Sequence, residues 1–159
     1  MTYPVTSLAL IVAAIGSGLI AGIFFAFSAF IMTAFSRIPP EHGIAAMQSI
    51  NTTILRSPFM VLFLLTAALS VVIAVMAVLN WRGAASVAML AGAVLYLVTC
   101  FLSTIVFNVP LNDALDKVDG RTAEAAQLWT AYLSDWTRWN HLRTAASLLA
   151  SIAFLRGLV

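Results

Sequence analysis

Four long stretches of the chain are almost continuously apolar, and shorter polar segments separate them. They cover about residues 7–35, 58–79, 84–107 and 137–156. About 20 helical residues, rising 1.5 Å each, cross a hydrocarbon core of roughly 30 Å. A segment in lipid must satisfy its own backbone hydrogen bonds, and an uninterrupted apolar run favours a helix over an alternating barrel strand. The pattern therefore predicts four membrane-spanning helices.

Two further segments have an amphipathic pattern. Pro39 and Pro40 end the first stretch, and helical spacing between residues 41 and 55 places Ile44, Met47, Ile50 and Ile54 on one stripe, with Gln48, Asn51 and Thr52 off it. We expect a short helix there, lying along the membrane face. A final helix is expected to start near Gly120 and Thr122, and its pattern allows it to run unbroken to Arg156. Pro110 is expected to break the third span at residues 108–112.

The predicted fold is all-α, an integral membrane four-helix bundle that forms a single transmembrane domain over residues 1–159. The short amphipathic helix lies between spans 1 and 2, and the long final helix is amphipathic in its first half. Gly18 and Gly22 form a GxxxG pair in the first span. Such spacing lets two helices approach closely, so a contact within the chain and a homo-oligomer both stay open.

The composition supports a membrane protein. Hydrophobic residues make up 62% of the chain and charged residues only 9%, against about a quarter charged in soluble domains, and the mean hydropathy is +1.02. A net charge of +2 is too small for a nucleic-acid footprint. The expected partners are membrane lipid and a hydrophobic small molecule. Cys100 is the only cysteine, so a disulfide within the chain is excluded.

The charged residues are distributed unevenly between the two sides of the predicted bundle. Six of the eight Lys and Arg, and all six carboxylates, lie in the first and third connections or at their edges. The positive-inside rule places those connections in the cytoplasm. We therefore expect a multi-pass protein of the cell (inner) membrane with both termini on the non-cytoplasmic side. No acid lies in the middle of a span, which disfavours a proton-coupled exporter.

A polar stripe enters the final span. At about 100° per residue, Trp136, Asn140 and Thr144 share one helix face and Arg143 lies beside them. These polar atoms would lack partners in lipid, so the stripe should face the interior of the bundle. His141 lies about 100° round from Asn140 and is a candidate to border the same cavity.

Other polar and aromatic residues are candidates for the same cavity. Amides flank Pro110 and also occur on the short helix, and phenylalanines follow the first span; these residues are Asn108, Asn112, Gln48, Asn51, Phe24 and Phe27. Trp, Arg and His at the end of a span are also common interface anchors. Phenylalanines in a span also pack against other helices. Both interpretations stay open on these residues alone.

Motifs for bound cofactors are absent from the sequence. It has no HExxH, no pair of ExxH motifs, no CxxC and no P-loop. We therefore predict no metal site and no cofactor. Haem ligation by His42 and His141 stays open, although their spacing gives it no support.

Four blocks of the sequence resemble the anthrone oxygenase family of small membrane proteins. They are Gly22-Ile-Phe-Phe-Ala-Phe-Ser28 followed by Met32, residues 43–51, Phe107-Asn-Val-Pro-Leu-Asn112 and residues 136–144. The resemblance extends over nearly the whole chain. Members from polyketide pathways oxidise anthrones to anthraquinones with dioxygen, so the resemblance implies a related oxygenase.

Such a reaction needs an apolar slot, a base, and donors for a developing oxyanion. The resemblance suggests His141 as the base, with Arg143, Asn140 and Asn108 holding the oxyanion. The expected substrate-binding residues are Trp136, Phe24, Phe27, Gln48, Asn51 and Asn112. The sequence thus predicts a membrane oxidoreductase that acts with dioxygen, without a cofactor, on a hydrophobic aromatic molecule at a cytoplasm-facing pocket. The alternative is a non-catalytic binding or accessory protein, or a subunit of a small-molecule transporter.

Overall fold

The computed structural model describes residues 2–159, and the side chains from residue 4 onward. Every regular element in that range is a helix and none is a strand, which confirms the all-α class. The elements are α1 (Thr2–Ala26), a π-helical segment (Phe27–Ile31), α2 (Met32–Phe35), α3 (Pro40–Ile54), α4 (Pro58–Leu79), α5 (Ala84–Val94), two more π-helical segments (Leu95–Leu102 and Thr104–Asn108), α6 (Val109–Leu115) and α7 (Ala123–Arg156).

Three helices of the described chain are long and apolar enough to cross a membrane. They are Pro4–Phe35, Pro58–Leu79 and Ala84–Leu115, and they coincide with the first three apolar stretches of the sequence. The chain is therefore a multi-pass membrane protein. The fourth stretch lies within α7, which is helical without a break. Its polar residues, among them Asn140 and Arg143, keep its hydropathy below that of the other three.

The prediction of a helix break at residues 108–112 is wrong, because the helix continues past Pro110 to Leu115. The backbone N–H of Val109 donates to the carbonyl of Thr104, five residues earlier. This wide π-helical turn comes directly before the proline, which then occupies the first turn of α6, where a missing N–H has the lowest cost. The continuous helix Ala84–Leu115, called the third column below, is therefore longer than predicted and includes the polar residues of α6.

The amphipathic helix predicted after the first span is confirmed as α3. Its buried face includes Ile44 and Met47, as the stripe indicates, and also Asn51, which was expected to lie off the stripe. This face packs against α6 and α7, so α3 covers the end of the helical assembly as well as facing outward. The Nε2 of Gln48 helps to fix it by donating to the carbonyls of Leu115 and Val118 at 2.9 and 3.1 Å.

The start of α7 is confirmed at the expected position. The Thr122 hydroxyl accepts a hydrogen bond from the Ala125 N–H at 3.1 Å, as an N-cap does. From there α7 runs for 34 residues. It packs against α1 along much of its length and also against α5.

Two apolar clusters fill the interior of the described chain. The larger cluster joins α1, α4, the third column and the second half of α7, and includes Leu10, Ile73, Tyr96 and Phe154. The smaller one lies beneath α3 and is built around Met47, Leu115, Trp129 and Tyr132. The polar residues of the α7 stripe lie where the two clusters meet.

The close helix contact expected at the GxxxG pair is not made within the chain. Gly22 is exposed, and a Cβ built on it would meet no described atom within 4 Å. A Cβ on Gly18 would only reach the Ser151 hydroxyl at 3.5 Å. Close approaches occur at other glycines instead, among them Gly16, which lies against the Thr66 hydroxyl of α4, and Gly92, where an added Cβ would stand 2.7 Å from the ring of the fully buried Phe154.

We predict that Gly92→Ala destabilises the protein, because the rigid, enclosed Phe154 ring has no free space into which to move. Overpacking of this kind costs about 1–3 kcal/mol, which exceeds the gain of up to ~1 kcal/mol in helix propensity. The matched control Gly22→Ala makes no clash and should leave the stability unchanged or raised. Denaturant unfolding in detergent micelles measures both. A Gly92→Ala variant as stable as Gly22→Ala would contradict the observed packing.

Candidate functional site

A cavity of about 210 Å³ lies between the end of α1, α3, the start of α4, the third column and α7. Its apolar walls are mostly aromatic: Phe24, Phe27, Phe59, Phe63 and Trp136 line it. Polar groups from four elements also face it, namely Asn51, Thr104, Asn112, Asp113, Asp116 and Arg143. An apolar enclosure with a few convergent polar groups is typical of a small-molecule site.

Arg143 is the most unusual residue of the cavity, because its side chain is only 4% exposed. Its Nη2 donates to Asn140 Oδ1 at 2.9 Å, and its Nη1 lies 3.4 Å from Thr104 Oγ1. The guanidinium carbon lies 4.3 Å from the centroid of the Phe24 ring and 5.0 Å from that of Trp136. A cation over aromatic rings is more often an arginine than a lysine, because the guanidinium is planar and weakly hydrated.

The guanidinium of Arg143 forms no hydrogen bond to a carboxylate among the described residues, although Asp113 and Asp116 line the same cavity. Its hydrogen-bond partners within residues 4–159 are neutral, and its Nε has none. Burying a cation without an opposite charge is costly, because stacking and neutral acceptors replace only part of its hydration. The cavity therefore holds a buried positive charge with one N–H free to donate.

Asn140 holds the arginine in place. The residue is fully buried, and its Nδ2 donates to the Phe24 carbonyl and to Ser28 Oγ, both at 2.7 Å. Its Oδ1 accepts from Arg143. The side chain therefore links α7 to the continuous helix Pro4–Phe35, called the first column below, at the start of its π-helical segment Phe27–Ile31. Such wide turns are frequent at functional sites.

A second amide orients the indole that stacks with Arg143. Asn112 Oδ1 accepts from both the Tyr132 hydroxyl and Trp136 Nε1, each at 2.9 Å. Burial raises the pKa of the Tyr132 phenol, so the group stays a proton donor at neutral pH. Asn108 lies behind the indole, where its Nδ2 is 3.3 Å from the Trp136 carbonyl and its Oδ1 has no partner.

Asn51 contributes a second buried amide to the wall of the cavity. Its side chain lies within hydrogen-bonding reach of the Tyr132 hydroxyl. That hydroxyl donates to Asn112 and can still accept, but Asn51 Nδ2 makes no hydrogen bond of good geometry. Free N–H groups on both Asn51 and Arg143 thus belong to residues that line one enclosed space.

The structure brings together most, but not all, of the residues that the sequence indicated. Lining the cavity are Arg143, Trp136, Phe24, Phe27, Asn51 and Asn112. Asn140 and Asn108 lie behind this wall and support Arg143 and Trp136. Gln48 does not line the cavity and has a structural role instead, since it caps the carbonyl end of α6.

His141 is not brought to the site. It is exposed on α7, is not among the lining residues, and lies about 100° round the helix from the buried Asn140. The two carboxylates of the cavity, Asp113 and Asp116, were not identified from the sequence. With Val109 and Asn112 they occupy positions i, i+3, i+4 and i+7 of one helix face. This spacing indicates a shared helix face only if the helix continues past Pro110.

A wider groove on the outer surface between α1 and α4 has few polar or ionisable side chains. Its lining is apolar apart from Arg56 and Ser57, and it is open along its length. It shares Ile23 and Phe59 with the enclosed cavity. Within the described residues, no group of three or more His, Cys, Asp or Glu side chains could hold a metal ion.

Comparison with known proteins identifies a family. A family model described as anthrone oxygenase matches residues 57–153, which span α4, the third column and most of α7. The match thus includes Asp113, Asn140 and Arg143. No curated protein and no solved structure has detectable similarity to the chain.

We predict that Asn112→Leu destabilises the protein, because it leaves the Tyr132 hydroxyl and Trp136 Nε1 without their shared acceptor. Each unsatisfied buried donor costs about 1–3 kcal/mol, so the loss for the two donors should be about 2–6 kcal/mol. Asn112→Asp keeps an acceptor oxygen and should lose less. Unfolding followed by tryptophan fluorescence compares the two. Equal stability of both variants would show that the shared acceptor does not matter.

Proposed function

The chain belongs to the anthrone oxygenase family, and from that premise we propose that it is a membrane oxidoreductase that acts with dioxygen on a hydrophobic aromatic small molecule. The reaction is proposed to take place in the cavity lined by Arg143. The observation that carries this proposal is the pair of free donors, Arg143 Nε and Asn51 Nδ2, among residues that form an aromatic enclosure.

The family's reaction explains why such donors would be needed. An anthrone has an acidic CH2 group across the central ring from its carbonyl. Removal of one proton moves negative charge onto the carbonyl oxygen and gives an electron-rich anion that dioxygen can oxidise. Overall, one anthrone and one O2 give one anthraquinone and one water. Fixed N–H donors aimed at the oxygen where charge develops stabilise this kind of step most effectively.

The buried cation of Arg143 fits this requirement. A carboxylate partner would neutralise the guanidinium and weaken its attraction for a ligand anion. Here the hydrogen-bonded partners are neutral, so the guanidinium can attract a ligand anion in a site of low dielectric. Asn140 and Trp136 already fix the arginine, so little reorganisation is needed when the substrate ionises.

The walls of the cavity suit a flat ligand. Phe27 and Trp136 have ring centroids 5.5 Å apart, while Phe59 and Phe63 stack at 5.7 Å. A volume of about 210 Å³ is below the roughly 300–1,000 Å³ of common drug-sized pockets. A compact, planar substrate of a few fused rings is therefore favoured over a long or highly substituted one.

The membrane arrangement proposed here is a four-span bundle, with residues 137–156 of α7 as the fourth span. The polar side chains that lower the hydropathy of this stretch, such as Asn140, Arg143 and Ser147, are buried. The outward positions are largely apolar, and Leu149 and Leu155 are about half exposed. A helix with this division can face lipid while it carries a polar site inward. The cavity then opens toward the cytoplasm, and both termini lie on the opposite side.

Arg143→Lys is expected to lower turnover by roughly 10²-fold or more, because the loss of one preorganised donor typically costs about 10²–10³. A lysine keeps the charge but has no Nε–H at that position and no planar face. The measurement is oxygen uptake by purified protein with anthrone, corrected for the spontaneous oxidation of anthrone without protein.

Arg138→Lys is the matched control, since Arg138 is exposed on the same helix and should tolerate the change. Thermal unfolding of both variants separates a loss of chemistry from a loss of folding. Full oxygen uptake by a folded Arg143→Lys variant would refute the assignment of Arg143. Anthrone binding without oxygen uptake in the unaltered protein would favour a binding protein over an enzyme.

The four-span arrangement predicts that a reporter fused after Val159 is on the opposite side of the membrane from one inserted at Asp119. An odd number of spans between the two positions requires this result. Paired reporters active only in the cytoplasm or only outside it provide the measurement, with an insertion at Arg82 expected to match Val159. Detection of Val159 and Asp119 on the same side would exclude residues 137–156 as a span.

A further inference from the structure

The cavity contains two carboxylates that have no role in holding the oxyanion. One face of α6 and the residue that follows it present Val109, Asn112, Asp113 and Asp116 to the enclosed space. Spacing of three and four residues puts these side chains on one side of a helix. Both aspartates are also solvent-exposed, so they connect the cavity to water.

These carboxylates are the groups in the cavity that can accept a proton. The titratable side chains among the described lining residues are Asp113, Asp116 and Arg143. An arginine stays protonated and cannot act as a base at neutral pH. His141, the base suggested by the sequence, is exposed on the far side of Asn140 and does not line the cavity.

We propose that Asp113 is the general base that removes the acidic proton of the substrate, with Arg143 and Asn51 holding the resulting oxyanion at the other end of the cavity. This assignment rests on the proposed function. The free donors on Arg143 and Asn51, both about nine-tenths buried or more, point independently to an acceptor ligand in the same space.

The position of Asp113 along the third column favours it over Asp116. Arg143 Nη1 approaches Thr104, which marks the depth of the guanidinium on that column. Asp113 is three residues nearer to Thr104 than Asp116 is, or about 4.5 Å along the helix axis. A substrate whose CH2 and carbonyl lie across one ring needs its base and its oxyanion donors close enough to contact both sides of that ring.

The steps balance with dioxygen as the oxidant. The Asp113 carboxylate takes one proton from the CH2 group, and the electron pair of that C–H bond passes to the ring and the carbonyl oxygen. The anion transfers an electron to O2, and the resulting carbon radical and superoxide couple to form a C–O bond. Protonation of the peroxide by Asp113 gives a hydroperoxide and restores the carboxylate.

The second half of the reaction uses the same carboxylate. Asp113 removes the remaining hydrogen from that carbon, the C=O bond forms, and the O–O bond breaks. The departing hydroxide takes the proton from Asp113 and leaves as water. Each half of the reaction transfers two electrons from the substrate, so O2 receives four electrons in total. Its two atoms become one quinone oxygen and one water.

The first step can be isolated by excluding oxygen. Anthrone incubated with the protein in D2O under argon exchanges its CH2 hydrogens each time the base removes a proton, and NMR measures that exchange above the rate without protein. Asp113→Asn should lower the enzymatic exchange by roughly 10²–10⁴-fold, the usual contribution of a positioned base. Asp135→Asn, an exposed carboxylate on the outer face of α7, is the matched control and should exchange normally.

A second variant tests whether the effect is chemical. Asp113→Ala leaves room for a small carboxylate, so added formate should restore a measurable part of the exchange, whereas chloride at equal ionic strength should not. A purely structural role for Asp113 would give no rescue by formate. Anthraquinone binding to Asp113→Asn should stay close to that of the unaltered protein, because the oxyanion donors are intact.

The outcomes separate this inference from the proposed function. If the unaltered protein neither exchanges anthrone hydrogens nor consumes oxygen, the proposed function fails. If it does both and Asp113→Asn exchanges at the normal rate, the assignment of Asp113 fails while the oxygenase function stands. A large loss in His141→Ala or Asp116→Asn, with Asp113→Asn unaffected, would move the base to that residue and overturn the inference.

Discussion

The candidate site depends on one buried cation. Arg143 is enclosed within the helical assembly between two aromatic rings and two neutral acceptors. Such a charge is costly to bury, so the groups that hold it are closely specified, and this requirement shapes the neighbouring elements. Asn140 must bridge α7 to the first column, Thr104 must approach from the third column, and Trp136 must be held by Asn112. One side chain therefore links three helical columns.

Much of this arrangement could be predicted from helical periodicity. Polar residues in an apolar helix have to face inward, so the positions of Trp136, Asn140 and Arg143 followed from their spacing. The same reasoning gave Phe24 and Phe27 as wall residues. His141 could not be placed as safely, because a residue about 100° from the buried stripe is at its edge and small rotations decide its exposure.

The missed carboxylates have one physical cause, which is the local geometry of a π-helical turn. Propensity rules treat a proline in a helix as a break, yet the bond from Val109 to Thr104 moves the backbone register so that the column passes Pro110. The face that carries Asp113 and Asp116 is visible only when the helix is continued. The GxxxG pair makes no close contact within the chain, because Gly22 faces outward, and close approaches lie at Gly16 and Gly92 instead.

The site combines the part of the chain that matches the family with parts that do not. Arg143, Thr104 and Asp113 lie within the matched residues 57–153, whereas Phe24, Phe27 and Asn51 come from α1, the first π-helical segment and α3. This division suggests a way to vary the substrate: changes in α3 and the first column would alter the walls of the cavity while the charged groups stay in place. The walls and the proposed oxyanion donors would come from both parts, since Asn51 lies in α3 and Trp136 lies within the matched residues.

The most direct test of this account is an experimental structure of the protein with anthraquinone bound. We predict that the flat ligand lies in the aromatic cavity, with one carbonyl oxygen within about 3.2 Å of Arg143 Nε and Asn51 Nδ2. The ligand planes should contact Phe24, Phe27 or Trp136. A ligand bound at another surface, or an Arg143 guanidinium paired with a carboxylate of the protein, would contradict the central claim that this buried cation is kept free for the substrate.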